Sequence, residues 1–231
     1  MINTQAQEVA KRAIKRLGAE IRIGMSEQEI HQRLVELMKE EGATSFWHGG
    51  IPGTVFVGQR SLVSAKTRLY QPSAQQRVAE GDAIAIDIAP AVDGMWGDYA
   101  RTYFIEDGKA YMELQQLKDP LHRQALQAEL DLHHYMMEIA TPEMTYSQLY
   151  YKINQKCEQM EWKNLDFQGN WGHSVSATGE DDRIYIVPEN HQPLGSRHAF
   201  TFEPHLQLRG FSFGVKRENI YYFEGDTLKE L

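Results

Sequence analysis

A motif near the start of this chain returns just past its middle. Gly24-Met25-Ser26, followed by Glu29 and Ile30, lines up with Glu143-Met144-Thr145, followed by Gln148 and Leu149, at an offset of 119 residues. Asp87, behind Ala-Ile-Ala-Ile, then stands opposite Glu203, behind Ala-Phe-Thr-Phe, at an offset of 116, and Asp98 stands opposite Glu218 at 120. A duplication of this kind restricts the fold to two similar halves about a pseudo-twofold axis, each delivering a pair of carboxylates from matching positions. The 231 residues suit one large domain or two fused halves.

Local patterning fills in the halves. Val9, Ala10, Ala13, Ile14, Leu17 and Ile21 recur at helical spacing, which predicts an amphipathic helix over Thr4 to Ile21. Ser26 and Glu29 form a capping box for a second helix that runs to about Glu41 and stops at Gly42. Ala83 to Ile88 and Tyr99 to Ile105 read as strands, with Val92-Asp93-Gly94 as a turn between them. A long helix is expected from about Lys109 to Ile139, and a further one behind the Thr145–Gln148 capping box. Strand-like runs follow at Ile184 to Val187, Ala199 to Phe202, Phe211 to Val215 and Asn219 to Phe223. The order is helices, strands, helices, strands, an α+β chain built as two αα-ββ halves.

Charge narrows the partners. With 24 Lys plus Arg against 32 Asp plus Glu the chain carries a formal charge of −8, and no basic cluster offsets it, so neither nucleic acid nor an anionic membrane surface is expected as a partner. The lone Cys157 cannot make an intrachain disulfide, and no secretory leader opens the chain; a reducing, cytoplasmic setting is the expectation.

Asp87 sits inside an otherwise apolar strand, where an unpaired carboxylate would cost several kcal/mol, so a metal or a buried cation must compensate it. Arg101 or Lys216 could be a structural partner. Four acids in register, Asp87, Asp98, Glu203 and Glu218, favour a metal, because bridging carboxylates can hold two divalent ions a few ångströms apart. His173, in the glycine-containing Asn170-Trp171-Gly172-His173-Ser174 turn, is the imidazole best placed to join them.

The run from Gly81 to Phe104, with an Asp, ten intervening residues, a second Asp and then Arg101-Thr102, resembles the strand pair of the pita-bread metallopeptidases: methionine aminopeptidase, aminopeptidase P and prolidase. Gly172-His173, Phe200-Thr201-Phe202-Glu203-Pro204 and Arg217-Glu218-Asn219 match further motifs of that family, in order, and the likeness covers nearly the whole chain. The resemblance implies a pita-bread fold with a curved antiparallel sheet, a single catalytic domain over residues 1–231, and two divalent ions. It assigns Asp87 to one ion, Asp98 and Glu218 to bridging, and His173 and Glu203 to the other, with Glu203 also carrying a proton. Oxygen-rich ligation with one imidazole favours Mn(II), Fe(II) or Co(II).

The chain departs from the family's peptide-handling groups. Where the family usually has a histidine upstream of the first Asp, this chain reads Lys66-Thr67-Arg68-Leu69, and where a second histidine usually follows the Gly-His loop it has Glu180. His48 and His191 are the candidates to replace them, and Arg68 and Glu180 suit a small charged or zwitterionic substrate better than a peptide, so that weak or absent aminopeptidase activity is the expectation even with the metals bound. The leading expectation is a metal-dependent hydrolase resembling aminopeptidase P or Xaa-Pro dipeptidase. A creatinase-like C–N hydrolase or an Fe(II)-dependent redox enzyme on an amino-acid-derived substrate is the alternative, and a metal-free binding module a third. The expected partner is a peptide or small amino-acid-derived molecule, with a homodimer allowed for.

Overall fold

The computed structural model describes residues 4–47, 49–64, 67–175 and 182–231. In the first half, α1 (Gln5–Glu20) and α2 (Glu27–Glu40) precede β1 (Ser45–Phe46), β2 (Gly53–Val57), β3 (Ala83–Ile88), β4 (Pro90–Val92), β5 (Met95–Trp96), β6 (Tyr99–Glu106) and β7 (Lys109–Tyr111). In the second, α3 (Pro120–Ile139) and α4 (Tyr146–Gln159) precede β8 (Trp162–Asn164), β9 (Ser174–Val175), β10 (Ala199–Phe202), β11 (His205–Leu208), β12 (Val215–Lys216), β13 (Asn219–Glu224) and β14 (Thr227–Glu230).

The strand order displays the duplication. One four-stranded sheet runs β2-β3-β6-β7 and its counterpart β9-β10-β13-β14; one three-stranded sheet runs β1-β4-β5 and its counterpart β8-β11-β12. Neighbours in these sheets pair antiparallel. The halves join where Ala100 and Glu218 exchange backbone hydrogen bonds, an isolated antiparallel bridge between the two. This is the α+β pita-bread arrangement expected from the sequence.

Alternation along β3 shows how the sheet separates core from site. Ile84, Ile86 and Ile88 point to α1 and α2, where they pack with Ile14, Leu17, Ile30 and Leu34; Ala85 and Asp87 point to the opposite face, which lines a cleft. Each fully buried Ile or Leu contributes roughly 1.5–3 kcal/mol, so the register of β3 is held by its apolar face and Asp87 follows from it. The second half repeats the scheme with Leu132, Met136, Leu149 and Ile153 against Phe200 and Phe202. Cys157 lies in that core, its thiol pushed up to about 12 by burial.

Both capping boxes form. Ser26 Oγ accepts the Glu29 N–H while a Glu29 carboxylate oxygen accepts that of Ser26, and Thr145 and Gln148 repeat the exchange. The helix expected from Lys109 begins instead at Pro120, behind Asp119, whose side chain accepts from the Leu121 and His122 N–H groups. Lys109 belongs to β7, because Asp107 and Gly108 at φ 52° and 72° make the left-handed turn of a hairpin back from β6. The expected strand at Ile184 to Val187 is reduced to one bridge, Tyr185 to His173, and of that at Phe211 to Val215 only Val215 lies in a strand, as the first residue of β12. Among the described residues, no helix is long and apolar enough to cross a membrane.

Candidate metal centre

Five separate segments bring their side chains to one floor. Asp87 comes from β3, Asp98 from the residue before β6, His173 from the turn before β9, Glu203 from the residue after β10 and Glu218 from the residue before β13. Their ligand atoms form two overlapping sets, Asp98–His173–Glu218 and Asp87–Glu203–Glu218, with the atoms of each set within 4.8 Å of one another. His173 Nε2 lies 3.5 Å from Asp98 Oδ2 and 3.9 Å from Glu203 Oε1.

The surroundings fix these groups. Gln7, buried on α1, donates from Nε2 to the Asp98 carbonyl at 3.0 Å and accepts the Asp98 N–H at 2.9 Å. His173 is oriented through its other ring nitrogen: Nδ1–H donates to the Ser174 carbonyl at 3.0 Å, which turns Nε2 toward the carboxylates. Its ring stands edge-on between Trp47 and Tyr185, with centroids 5.8 Å from each.

The electrostatics are uneven. Burial pushes Asp98 and Glu218 above the usual carboxylate range, Glu218 furthest, with neighbouring carboxylates adding to the effect. Burial alone would lower His173, but Asp98 and Glu203 outweigh it and leave the imidazole raised. Glu218 is 1% exposed and neither of its carboxylate oxygens has a hydrogen-bond partner. An orphaned buried carboxylate is costly, and a cation is the partner that would satisfy it, so the residues present fit a divalent ion at Asp98–His173–Glu218.

At the other set a cation is already in place. Lys216 Nζ lies 2.5 Å from Asp87 Oδ2 and 3.1 Å from Glu203 Oε2. The two partners weighed for Asp87 are thereby separated. Arg101 turns away, donating to the Ala100 and Glu218 carbonyls and to Asn219 Oδ1 with its guanidinium over the Tyr99 ring.

Above this floor opens a cleft of about 350 Å³, large enough for a small peptide-like molecule. Its walls include Trp47, Phe167, Arg68, Arg183, Tyr185 and Asp166. Arg183 stacks over Trp47, its guanidinium carbon 4.7 Å from the ring centroid.

The candidates from the sequence separate accordingly. Asp87, Asp98, His173, Glu203 and Arg68 line the cleft, and Glu218 lies beneath it. His191 does not: it is exposed, in the Asn190–Pro193 segment whose backbone caps the first turn of α4. His48 and Glu180 lie outside the described residues. Sequence reasoning passed over His205, which lines the cleft directly after Glu203-Pro204; its Nε2–H donates to the Ser61 carbonyl at 2.7 Å, and burial pushes it down to about 4. It also passed over Tyr185 and Arg183, for which the only signal was their position shortly after the Gly-His turn.

Comparison with known proteins fits this geometry. The X-Pro aminopeptidase of Thermotoga maritima is similar over 98% of this chain and 58% of its own, at 22% identity and a TM-score of 0.79. The dipeptidase PepE of Mycobacterium ulcerans matches 98% of this chain and 56% of its own at 20% identity and 0.78, and the prolidase of Pyrococcus furiosus 99% and 62% at 20% and 0.77. The chain thus spans less than two thirds of the length of these structures. No curated protein sequence matches it significantly. The model of metallopeptidase family M24 matches residues 3–224, and with that extent of match the chain belongs to family M24.

Proposed function

We propose that this protein is a metal-dependent hydrolase of the aminopeptidase P or Xaa-Pro dipeptidase kind, acting on small peptide-like substrates with charged ends. The observation that carries this reading is the orphaned Glu218 carboxylate at the centre of a cluster of three further acids and one imidazole, under a cleft of dipeptide size. A divalent ion held there would supply an acidified water and polarise the substrate carbonyl, with Mn(II), Fe(II) and Co(II) suited to the ligand set. The protein's own groups do the rest. Glu203, at the cleft floor, is positioned to hold and pass on a proton. Trp47 and Tyr185 keep water from the His173 face. Arg68 and Arg183, both on the cleft wall, favour a substrate carboxylate, and Asp166 on the same wall suits an ammonium. The lone, buried Cys157 agrees with a reducing, cytoplasmic setting.

The test is a panel of Xaa-Pro dipeptides, their C-terminal amides and N-terminal-Met tripeptides, assayed with Mn(II), Fe(II) or Co(II) and without metal. Metal-dependent cleavage of the free dipeptides, at least about tenfold better in kcat/KM than of the amides, is the expected result. Equal rates on all three classes would remove the charged-end reading, and no cleavage of any peptide by metal-loaded protein would remove the peptidase reading.

A further inference from the structure

Lys216 is rooted in the structure more firmly than a surface lysine. Its N–H donates to Thr102 Oγ1 at 2.7 Å, its strand β12 pairs with β11 opposite His205, and its side chain is 15% exposed. Residues 216 and 218 alternate with Arg217, so Lys216 and Glu218 face the cluster while the Arg217 guanidinium turns back toward Glu129, 3.7 Å away. The ammonium therefore arrives at Asp87 and Glu203 by construction.

Its position divides the cluster into unlike parts. Asp87 and Glu203 have a cation hydrogen-bonded between them; Asp98 has the neighbouring imidazole, and Glu218, although Lys216 lies near enough to act on its charge, keeps both oxygens unpartnered in the interior. A divalent ion entering the Asp87–Glu203–Glu218 set would bind carboxylates that Lys216 already holds through Asp87 Oδ2 and Glu203 Oε2, at 2.5 and 3.1 Å, and with metal–oxygen bonds of about 2.0–2.3 Å it would lie close beside the ammonium. It would have to expel the ammonium or face it as a like charge.

We propose that Lys216 serves as the resident second cation of this centre, so that the chain takes one divalent ion tightly, at Asp98–His173–Glu218, in place of the two that the ligand count suggests. This rests on the metal-dependent reading above and specifies it. The chemistry follows: the Asp87–Glu203 side presents a fixed single positive charge with hydrogen-bond donors to the substrate, instead of a second Lewis acid.

Mn(II) titration of chelator-treated protein tests this, read by calorimetry and by electron paramagnetic resonance. The wild-type chain should bind one equivalent tightly and a second at least about 100-fold more weakly, with the resonance signal of an isolated Mn(II) ion at up to two equivalents. Lys216→Met should bring the second equivalent to within about tenfold of the first and give a spin-coupled pair, whereas Lys216→Arg should keep one. Two well-matched equivalents with a coupled signal in the wild type would overturn the role of Lys216 and leave the hydrolase reading standing. The wild-type result decides this even where Lys216→Met does not fold. A chain that binds no Mn(II) would overturn both.

Discussion

Gly53-Thr54 and Gly172-His173 stand 119 residues apart and do the same backbone work in the two halves. Both glycines have strongly positive φ, 147° and 141°, and a Cβ on either would lie 2.1 Å from the Asp87 carbonyl oxygen or 2.2 Å from that of Thr201. The residue that follows is buried against the cluster in each case, yet it is a threonine in one half and the only imidazole of the candidate ligand set in the other. Beneath the sheets the same contrast recurs. At the 119-residue offset, Glu129 and His133 of α3 occupy the places that Ala10 and Ile14 hold on α1. Glu129 accepts from Thr102 Oγ1 at 3.1 Å, and His133 Nδ1 lies 2.7 Å from Tyr221 Oη. The duplicated backbone supplies equivalent places, and at these three the first half sets a threonine, an alanine and an isoleucine where the second sets a histidine, a glutamate and a histidine.

The comparison breaks most visibly at the paired threonine and histidine. His173→Ala should lower divalent-metal affinity by more than about 100-fold, since loss of even an outer-shell partner typically costs 10–100-fold, while Thr54→Ala should change it less than about threefold. Calorimetric titration of both variants checks this, and equal losses would make the two halves equivalent after all. The glycines should behave alike. Gly53→Ala and Gly172→Ala should each destabilise by on the order of 3 kcal/mol, because each new Cβ meets a backbone oxygen and not a flexible side chain. Urea midpoints would show a difference between them if the two approaches are unequal.

A smaller effect separates Glu129 from its counterpart Ala10. Burial raises Glu129 to about 7, against the opposing pull of Arg217 and Arg101. A raised acid takes up a proton on folding between its unfolded pKa near 4.5 and its folded value. Stability contributed by this site is therefore greatest below that window and falls as pH rises through it. Glu129→Gln should stabilise the protein by on the order of 2 kcal/mol at pH 7.5 and have little effect at pH 4.5. Urea unfolding at both values checks the sign; a pH-independent difference would mean that Glu129 stays ionised beside Arg217. The smallest effect belongs to the caps, where the halves are most alike. Ser26→Ala and Thr145→Ala should each cost about 1 kcal/mol, or 2–4 °C in Tm, by thermal melts followed at the helical circular dichroism band.

Much of the site was legible because strands translate sequence spacing into direction. Once Ile84, Ile86 and Ile88 must face the helices, Asp87 must face away from them, and the same logic carries Glu203 behind Phe200 and Phe202. The walls were not legible. Trp47, Arg183 and Tyr185 come from loops that return to the cluster by tertiary packing, Trp47 and Tyr185 against His173 and Arg183 over Trp47, and no periodicity records it. His191 shows the converse: its residue type suited the site, but its segment is tied by backbone hydrogen bonds to the start of α4. The hairpin at Asp107-Gly108 stands where a helix is expected from Lys109, since an Asp-Gly turn ends a strand more firmly than a weak apolar period extends a helix.

By itself the sequence determined the two αα-ββ halves, both capping boxes and the positions from which Asp87, Asp98, Glu203 and Glu218 are presented, because these depend on spacing along single elements and on a repeat that fixes their counterparts. Only the tertiary structure decided how charge is shared among them. Whether Lys216 or Arg101 reaches Asp87 turns on which side of a two-residue strand faces the cleft, and whether Glu218 keeps a partner turns on what five distant segments leave beside it. Coulomb energies in a buried cluster change by kcal/mol over an ångström, a distance that residue spacing does not encode.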